Sequence, residues 1–252
     1  MTDKEYFSKK QQKEYITSSQ IRSYLECPAR FKAEVDGKYK RETTKAMLLG
    51  HYIEKALTGG LDEFVEEYRD KIYMKSGKGM LSDFRNAEAV AKELKKDKAL
   101  MKLLSGDTQK VLFGEIRGHK VMCKLDILND DIIDLKYVAD FSGKYDANEL
   151  RYKQWWEKFR YDLQGAFYHT ITRQNGIIKP FKLVAITKQT PPDKALIEFS
   201  NKKLDEGKIL IHDIIDNVAE LKASKDAKPL GCGHCDYCRS IKNFSNIKKE
   251  VI

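Results

Sequence analysis

The stretch Cys123-Lys-Leu-Asp-Ile-Leu-Asn-Asp-Asp-Ile-Ile-Asp-Leu-Lys136 alternates apolar and charged residues on either side of a polar tripeptide. Side chains of a strand point to alternate faces, so this pattern predicts two strands joined by a polar turn, Asn129-Asp130 or, with Asp131 included, a loop of three residues. A three-residue loop pairs Leu128 with Ile132 and sets Asp126 opposite Asp134. Lys124, Asp126, Asp134 and Lys136 then share one face, and Leu125, Ile127, Ile133 and Leu135 take the other. Directly opposed like charges destabilise a sheet. A divalent cation between two carboxylates reverses that sign, because hard cations prefer oxygen ligands. A lysine two residues further along can orient an attacking water or steady charge developing on a phosphate. A two-residue turn would instead send the acids to opposite faces. An ordinary amphipathic hairpin, its acids and lysines solvated, also fits these letters, so the hairpin alone leaves both readings open.

Working outward, Lys110–Ile116 and Lys120–Leu128 read as strands around the turn Arg117-Gly118-His119, with Asp131–Val138 as a third. A helix is expected from Thr17, capped by Ser18 or Ser19 and stopped or kinked by Pro28. Others are expected over Thr43–Leu57, closed by Gly59-Gly60, and over Leu61–Tyr73 and Ser82–Leu104. Downstream, Gln154–Gln174 reads as a helix, Phe181–Thr187 and Ala195–Phe199 as strands, and Asn201–Ala223 as a long last helix. Helices, then a β-meander, then helix and strand imply an α/β domain with a helical N-terminal part. Residues 1–16 are expected to form a mobile basic arm, 17–242 one domain and 243–252 a tail.

The chain has 252 residues, 41% of them hydrophobic, which suffices for one domain with a real core. No apolar run approaches the roughly 18 residues of a membrane span, and the charged start lacks a secretory stretch. A cytoplasmic location without membrane contact is expected. The net charge of +9 favours a polyanion such as nucleic acid, since phosphate contacts release counterions, although many basic proteins bind none. Ser76-Gly-Lys-Gly-Met80 lacks P-loop spacing. Trp155, Trp156 and Phe159 could stack on an unpaired base or belong to the core. Lys153, Lys158, Arg160 and Arg173 could contact phosphates or form a solvated face.

Two further elements accompany the acids. Tyr161-Asp-Leu-Gln-Gly-Ala-Phe-Tyr168 puts Gln164 and Tyr168 four apart, on one helical face. Leu48-Leu-Gly-His-Tyr-Ile-Glu54 lies upstream in an expected helix. In this order the elements resemble the PD-(D/E)XK nucleases, in particular the RecB/RecE-like phage exodeoxyribonucleases, over about Thr17 to Lys242. The resemblance implies a restriction-endonuclease-like core, a central mixed sheet flanked by helices. It implies Glu54, Asp126, Asp134 and the Leu135 carbonyl as ligands of Mg²⁺ or Mn²⁺, with His51 the competitor of Glu54. Lys136 would assist the water, and Gln164 and Tyr168 would position the strand. The implied activity is hydrolysis of DNA at linear, double-stranded ends, in phage recombination beside a single-strand annealing protein, with a homo-oligomeric ring as one form. A CRISPR-adaptation-type or structure-selective nuclease is a second reading, and a non-catalytic, metal-stapled DNA-binding module a third. Possession of both acids and the lysine favours an enzyme.

The five cysteines are Cys27, Cys123, Cys232, Cys235 and Cys238. An odd count argues against a disulfide framework, and Cys232-x₂-Cys235-x₂-Cys238 points to a metal. Ferredoxin-type runs of this spacing take a remote Cys that precedes Pro, and Cys27-Pro28 offers one. Superfamily members such as AddB and the CRISPR adaptation nucleases share the early Cys and late triplet, with a different later spacing. That resemblance implies a [4Fe–4S] cluster. Zn²⁺ is the alternative, held by four cysteines or with His234 replacing one. Cys123 reads as a buried small residue.

Overall fold

The structure is a computed structural model, and it describes all residues except Ser76, Lys78, Ala147, Asn148 and 244–252. Nearly all of the expected tail, and two residues of Ser76–Met80, therefore lie outside the described residues. The chain opens with short helices α1 (Asp3–Tyr6) and α2 (Lys9–Glu14), then α3 (Ser18–Glu26) and α4 (Pro28–Val35). It continues through α5 (Lys45–Thr58), α6 (Leu61–Glu67), α7 (Arg69–Ile72), α8 (Ser82–Leu94) and α9 (Lys98–Leu103). Strands β1 (Asp107–Ile116), β2 (His119–Leu128) and β3 (Ile132–Val138) follow, then the small pair β4 (Lys144–Asp146) and β5 (Arg151–Lys153). Helices α10 (Trp155–Lys158) and α11 (Tyr161–Gln174), strands β6 (Phe181–Thr187) and β7 (Lys194–Glu198), and helices α12 (Asn201–Ala223) and α13 (Asp236–Ser240) complete it.

Five strands form one mixed sheet in the order β1-β2-β3-β6-β7, with β3 and β6 parallel and the other pairs antiparallel. Each face carries its own core. On one, Val121, Cys123, Leu125, Ile132, Leu183 and Ala185 pack against α3, α4, α11 and α12. On the other, Ile127, Ile133, Leu135, Val184 and Ile186 pack against α5 and α8. This is the expected central mixed sheet between helical layers, with a helical N-terminal part.

Local chemistry explains most element ends. Thr17, rather than Ser18 or Ser19, caps α3, its side chain accepting from the Gln20 amide at 3.3 Å. Pro28 separates two helices as the first residue of α4, where its missing N–H costs nothing. The expected helix Gln154–Gln174 is two helices, because Arg160 adopts a left-handed φ of 55° at the start of α11. The β4–β5 pair was not foreseen. Its strands are three residues each, and their central Tyr145 and Tyr152 stay exposed, so no buried face marks them.

Residues 1–16, expected as a mobile arm, form α1 and α2 and pack on the sheet. Tyr6 is buried, and Lys120 reaches Glu14 at 2.9 Å.

Of the two loop lengths left open, the hairpin takes three residues, and Asn129 Oδ1 accepts from the Asp131 amide at 2.9 Å. Leu128 pairs with Ile132 and Ile127 with Ile133, and there the ladder between β2 and β3 ends. On the freed edge of β2, Ile16 donates its N–H to Lys120 O at 2.9 Å and accepts from Met122 N at 3.0 Å. The sheet is thus forked, and its prongs part at Asp126 and Asp134.

The fork corrects the expected alternation. In the β1–β2 ladder, Thr108↔Ile127 and Lys110↔Leu125 bracket Gln109 and Asp126, which do not pair, and Gln109 has a φ of 56°. The strand changes phase there. Leu125 packs with Cys123 in the first core and Ile127 in the second, so Leu125 does not share a face with Ile127, Ile133 and Leu135. Lys124, between Cys123 and Leu125, accordingly lies on the opposite face from them and does not share the face of Asp134 and Lys136. A strict period of two cannot survive a break in both flanking ladders.

Helix α11 approaches the sheet closely at Gly165, where a Cβ would meet the Phe181 ring at 2.7 Å. Gly165→Ala should therefore destabilise the fold by about 1–3 kcal/mol through overpacking, read as a lower urea midpoint at unchanged slope.

Candidate active site

Four elements deliver side chains to the fork. The edge of β2 carries Asp126, β3 carries Asp134, Leu135 and Lys136, α5 brings Glu54 from one face and α11 brings Gln164 and Tyr168 from the other. Glu54 can reach in because Tyr52, Ile53, Ala56 and Leu57 anchor α5 in the second core. Leu163, Ala166, Phe167 and Tyr168 anchor α11 in the first.

Asp126 Oδ2 accepts the backbone N–H of Leu135 at 3.0 Å. Its carboxylate replaces a ladder acceptor at the parting of the strands and is held beside Asp134. Asp134 is 1% exposed. Its Oδ1 accepts from Gln164 Nε2 at 2.7 Å, and its Oδ2 lies 2.5 Å from Lys136 Nζ. Gln164 Nε2 also donates to the Tyr168 hydroxyl at 3.0 Å. Gln164 and Tyr168 are only 5% and 7% exposed. These two residues, expected to position a DNA strand, lie beside Asp134, which Gln164 holds by its hydrogen bond.

The electrostatics record crowding. Burial, with Asp126 adding to it, pushes Glu54 up to about 8, against the pull of Lys55, Lys124 and Lys136. Burial also raises Asp134 to about 6, with Lys136 opposing and Asp126 reinforcing. Burial works to lower Lys136, but Asp134 and Asp126 outweigh it and hold the ammonium charged. Asp126 thus resists the ionisation of both Glu54 and Asp134, with Lys136 as the cation that opposes it. An all-oxygen donor set of this kind suits a hard divalent cation such as Mg²⁺ or Mn²⁺. His51, the competitor of Glu54, is exposed, and its ring meets Phe64 edge-on at 6.2 Å.

The cysteines converge on a second centre. Sγ atoms of Cys27, Cys232, Cys235 and Cys238 all lie within 4.8 Å of one another. His234 is exposed, with Nδ1 placed 2.8 Å from the Cys232 carbonyl. Cys123 is buried in the first core.

The sequence matches, over residues 17–241, the family described as "PDDEXK-like domain of unknown function (DUF3799)". The chain belongs to that family. A solved structure from Eubacterium rectale, described as a "putative exonuclease", is 28% identical with a TM-score of 0.91, covering 100% of this chain and 96% of that one. Another, described as SSO0001, is 15% identical with a TM-score of 0.33, covering 90% of this chain and 98% of that one. No curated protein matches. The fold is therefore that of a PDDEXK-like nuclease.

Gln109, Arg22 and Tyr161 also stand at this candidate site, and no role for them was legible in the sequence. Gln109 donates to Glu54 Oε1 from the kink in β1. Lys136 Nζ sits 5.4 Å from the centre of the Tyr161 ring, which stacks on Phe159. Arg22 of α3 donates to the Phe159 carbonyl at 3.3 Å and pulls the Asp134 carboxyl downward. Only Tyr161 was near a recognisable motif. Of the residues weighed for nucleic-acid contact, Trp155 belongs to the core, and Lys153 pairs with Asp146 and Glu149, each at 2.7 Å. Phe159 stays exposed beside the site.

The raised carboxyls set a pH dependence. The folded chain keeps protons on Glu54 and Asp134 that the unfolded chain releases near the ordinary 4.5 and 3.8, so each makes the metal-free fold less stable as pH rises toward about 8 and about 6. In EDTA, Glu54→Gln should gain melting temperature relative to the parent between about pH 5 and pH 8. Mn²⁺ should raise the parent's melting temperature more at pH 8 than at pH 6. Parallel pH profiles for the two proteins would refute the crowding.

Proposed function

We propose that this protein is a metal-dependent deoxyribonuclease that hydrolyses phosphodiester bonds at the ends of linear DNA. The observation that carries this reading is the meeting of Glu54, Asp126, Asp134 and Lys136 at the fork, three crowded acids and one lysine in a family of PDDEXK-like domains. The Eubacterium rectale relative, described as a "putative exonuclease", supports action at ends.

Glu54, Asp126, Asp134 and the Leu135 carbonyl would hold Mg²⁺ or Mn²⁺, which supplies Lewis-acid polarisation of the phosphate and an acidified water. The chain's own groups do the rest. Lys136, charged and anchored on Asp134, would offset negative charge growing on the phosphate and fix the attacking water. Gln164 keeps Asp134 in one orientation, with Tyr168 behind it. The net charge of +9 supports a polyanionic substrate. Double-stranded ends, a role in phage recombination, an annealing-protein partner and a homo-oligomeric form come from the motif resemblance. No helix among the described residues is long and apolar enough to cross a membrane.

The test uses end-labelled linear DNA beside closed circular DNA, with Mg²⁺, Mn²⁺ or EDTA. Linear DNA should be degraded only with metal, and circular DNA should persist. Asp134→Asn should reduce the rate by about a hundredfold or more while DNA binding survives, because basic side chains hold the phosphates. Wild-type cleavage by that variant would place the chemistry elsewhere. Gln164→Ala acts through Asp134, so it should cost about 10–100-fold in rate or metal affinity, with the loss partly recovered at high Mn²⁺.

A further inference from the structure

We propose that Cys27, Cys232, Cys235 and Cys238 form a closed, mononuclear tetrathiolate site for zinc, and that their spacing does not fit the iron–sulfur cluster implied by the family resemblance. The argument is one of size. A tetrahedral ion with Zn–S bonds of about 2.3 Å holds its sulfurs about 3.8 Å apart. In a four-iron cluster each thiolate binds a different iron at a cube corner, which spreads the sulfurs to roughly 6 Å. Here all four Sγ atoms lie within 4.8 Å of one another, and Cys27 and Cys238 are 3.6 Å apart. Every pair is too close for the cluster.

The backbone holds the sulfurs at this spacing. Cys27 caps α4, and its Sγ accepts the amides of Arg30 and Cys232, both at 3.4 Å. Cys232 Sγ accepts the Cys235 amide at 3.3 Å, and Cys235 Sγ accepts the Cys238 amide at 3.4 Å. Three of the four sulfurs are therefore oriented by N–H groups before any metal arrives. Gly231 backs the fourth, since a Cβ there would stand 2.7 Å from Cys238 Sγ. Widening the site to cluster width would break the one of these bonds that joins the two chain segments, from the Cys232 amide to Cys27 Sγ. The donors are four soft thiolates with His234 turned toward a carbonyl, a set that suits zinc and leaves no position for a substrate. Zinc bound here would tie α4 to α13, a role independent of the carboxylate centre.

The experiment is metal analysis and spectroscopy of the full chain purified without oxygen. About one zinc per chain is expected, in colourless protein lacking the broad absorption near roughly 400 nm that a cluster shows. Exchange with Co²⁺ should give the intense visible bands and thiolate charge transfer of a tetrahedral sulfur site, which oxygen ligands at the fork cannot produce. Iron at about four per chain, no metal in the chain, or a six-coordinate Co²⁺ spectrum would each overturn the proposal. Cys238→Ser should lose the zinc and the Co²⁺ charge transfer, while Cys123→Ser keeps both. Should Cys238→Ser fail to fold, Gly231→Ala serves in its place and should release zinc to a chelator faster than the parent.

Discussion

Two paired positions join β2 to β3, and the chemistry of the molecule depends on the ladder stopping there. A buried backbone group without a partner costs as much as a lost hydrogen bond, so strands do not part without replacements. The structure supplies two. Ile16 occupies the edge of β2, and the Asp126 carboxylate takes the Leu135 amide. With both in place the fork stays open, and helices on opposite faces of one sheet can send side chains to a common point. A continuous sheet would have kept Glu54 and Gln164 on separate sides.

The same opening explains how the fold tolerates its charges. Asp134 is almost without solvent, and an isolated ionised carboxylate in that place would be costly. Lys136 offsets the charge from one side and Gln164 satisfies the other oxygen. Glu54 and Asp126 remain partly exposed and repel each other. Their repulsion is a standing cost that a divalent cation would remove, so metal affinity and metal-free stability are opposite consequences of one arrangement.

What holds Ile16 in place reaches to the far end of the chain. Lys222, near the end of α12, donates to the carbonyls of Gln12 and Tyr15 at 3.0 and 2.6 Å and to Gln20 Oε1 at 2.9 Å. Burial lowers this lysine to about 8. Lys32 of α4 similarly donates to the Ser224 carbonyl at 2.6 Å. The four cysteines lie on the continuation of this contact between α4 and the C-terminal segment. The N-terminal helices are thus clamped from the C-terminal side, and through Ile16 they prop the fork.

The sequence by itself determined what is local and periodic. The alternation of 123–136 gave the hairpin and, for a loop of three residues, Asp126 beside Asp134. The four-residue spacing of Gln164 and Tyr168 gave their common helical face, and the cysteine spacing gave the late triplet. Tertiary structure decided the rest. The phase change at Asp126, which moved Leu125 and Lys124 off their expected faces, arises from two ladders failing at one residue, and period-two reasoning has no term for that. Gln109 and Arg22 came to the site across long separations, without a motif of their own. Residues 1–16 read as a polar arm because their value lies in contacts with Lys120 and Lys222, more than a hundred and more than two hundred residues away. Periodicity reports which face of its own element a residue occupies. Which elements meet, and where a sheet opens, is settled by packing and by the demand that every buried polar group find a partner.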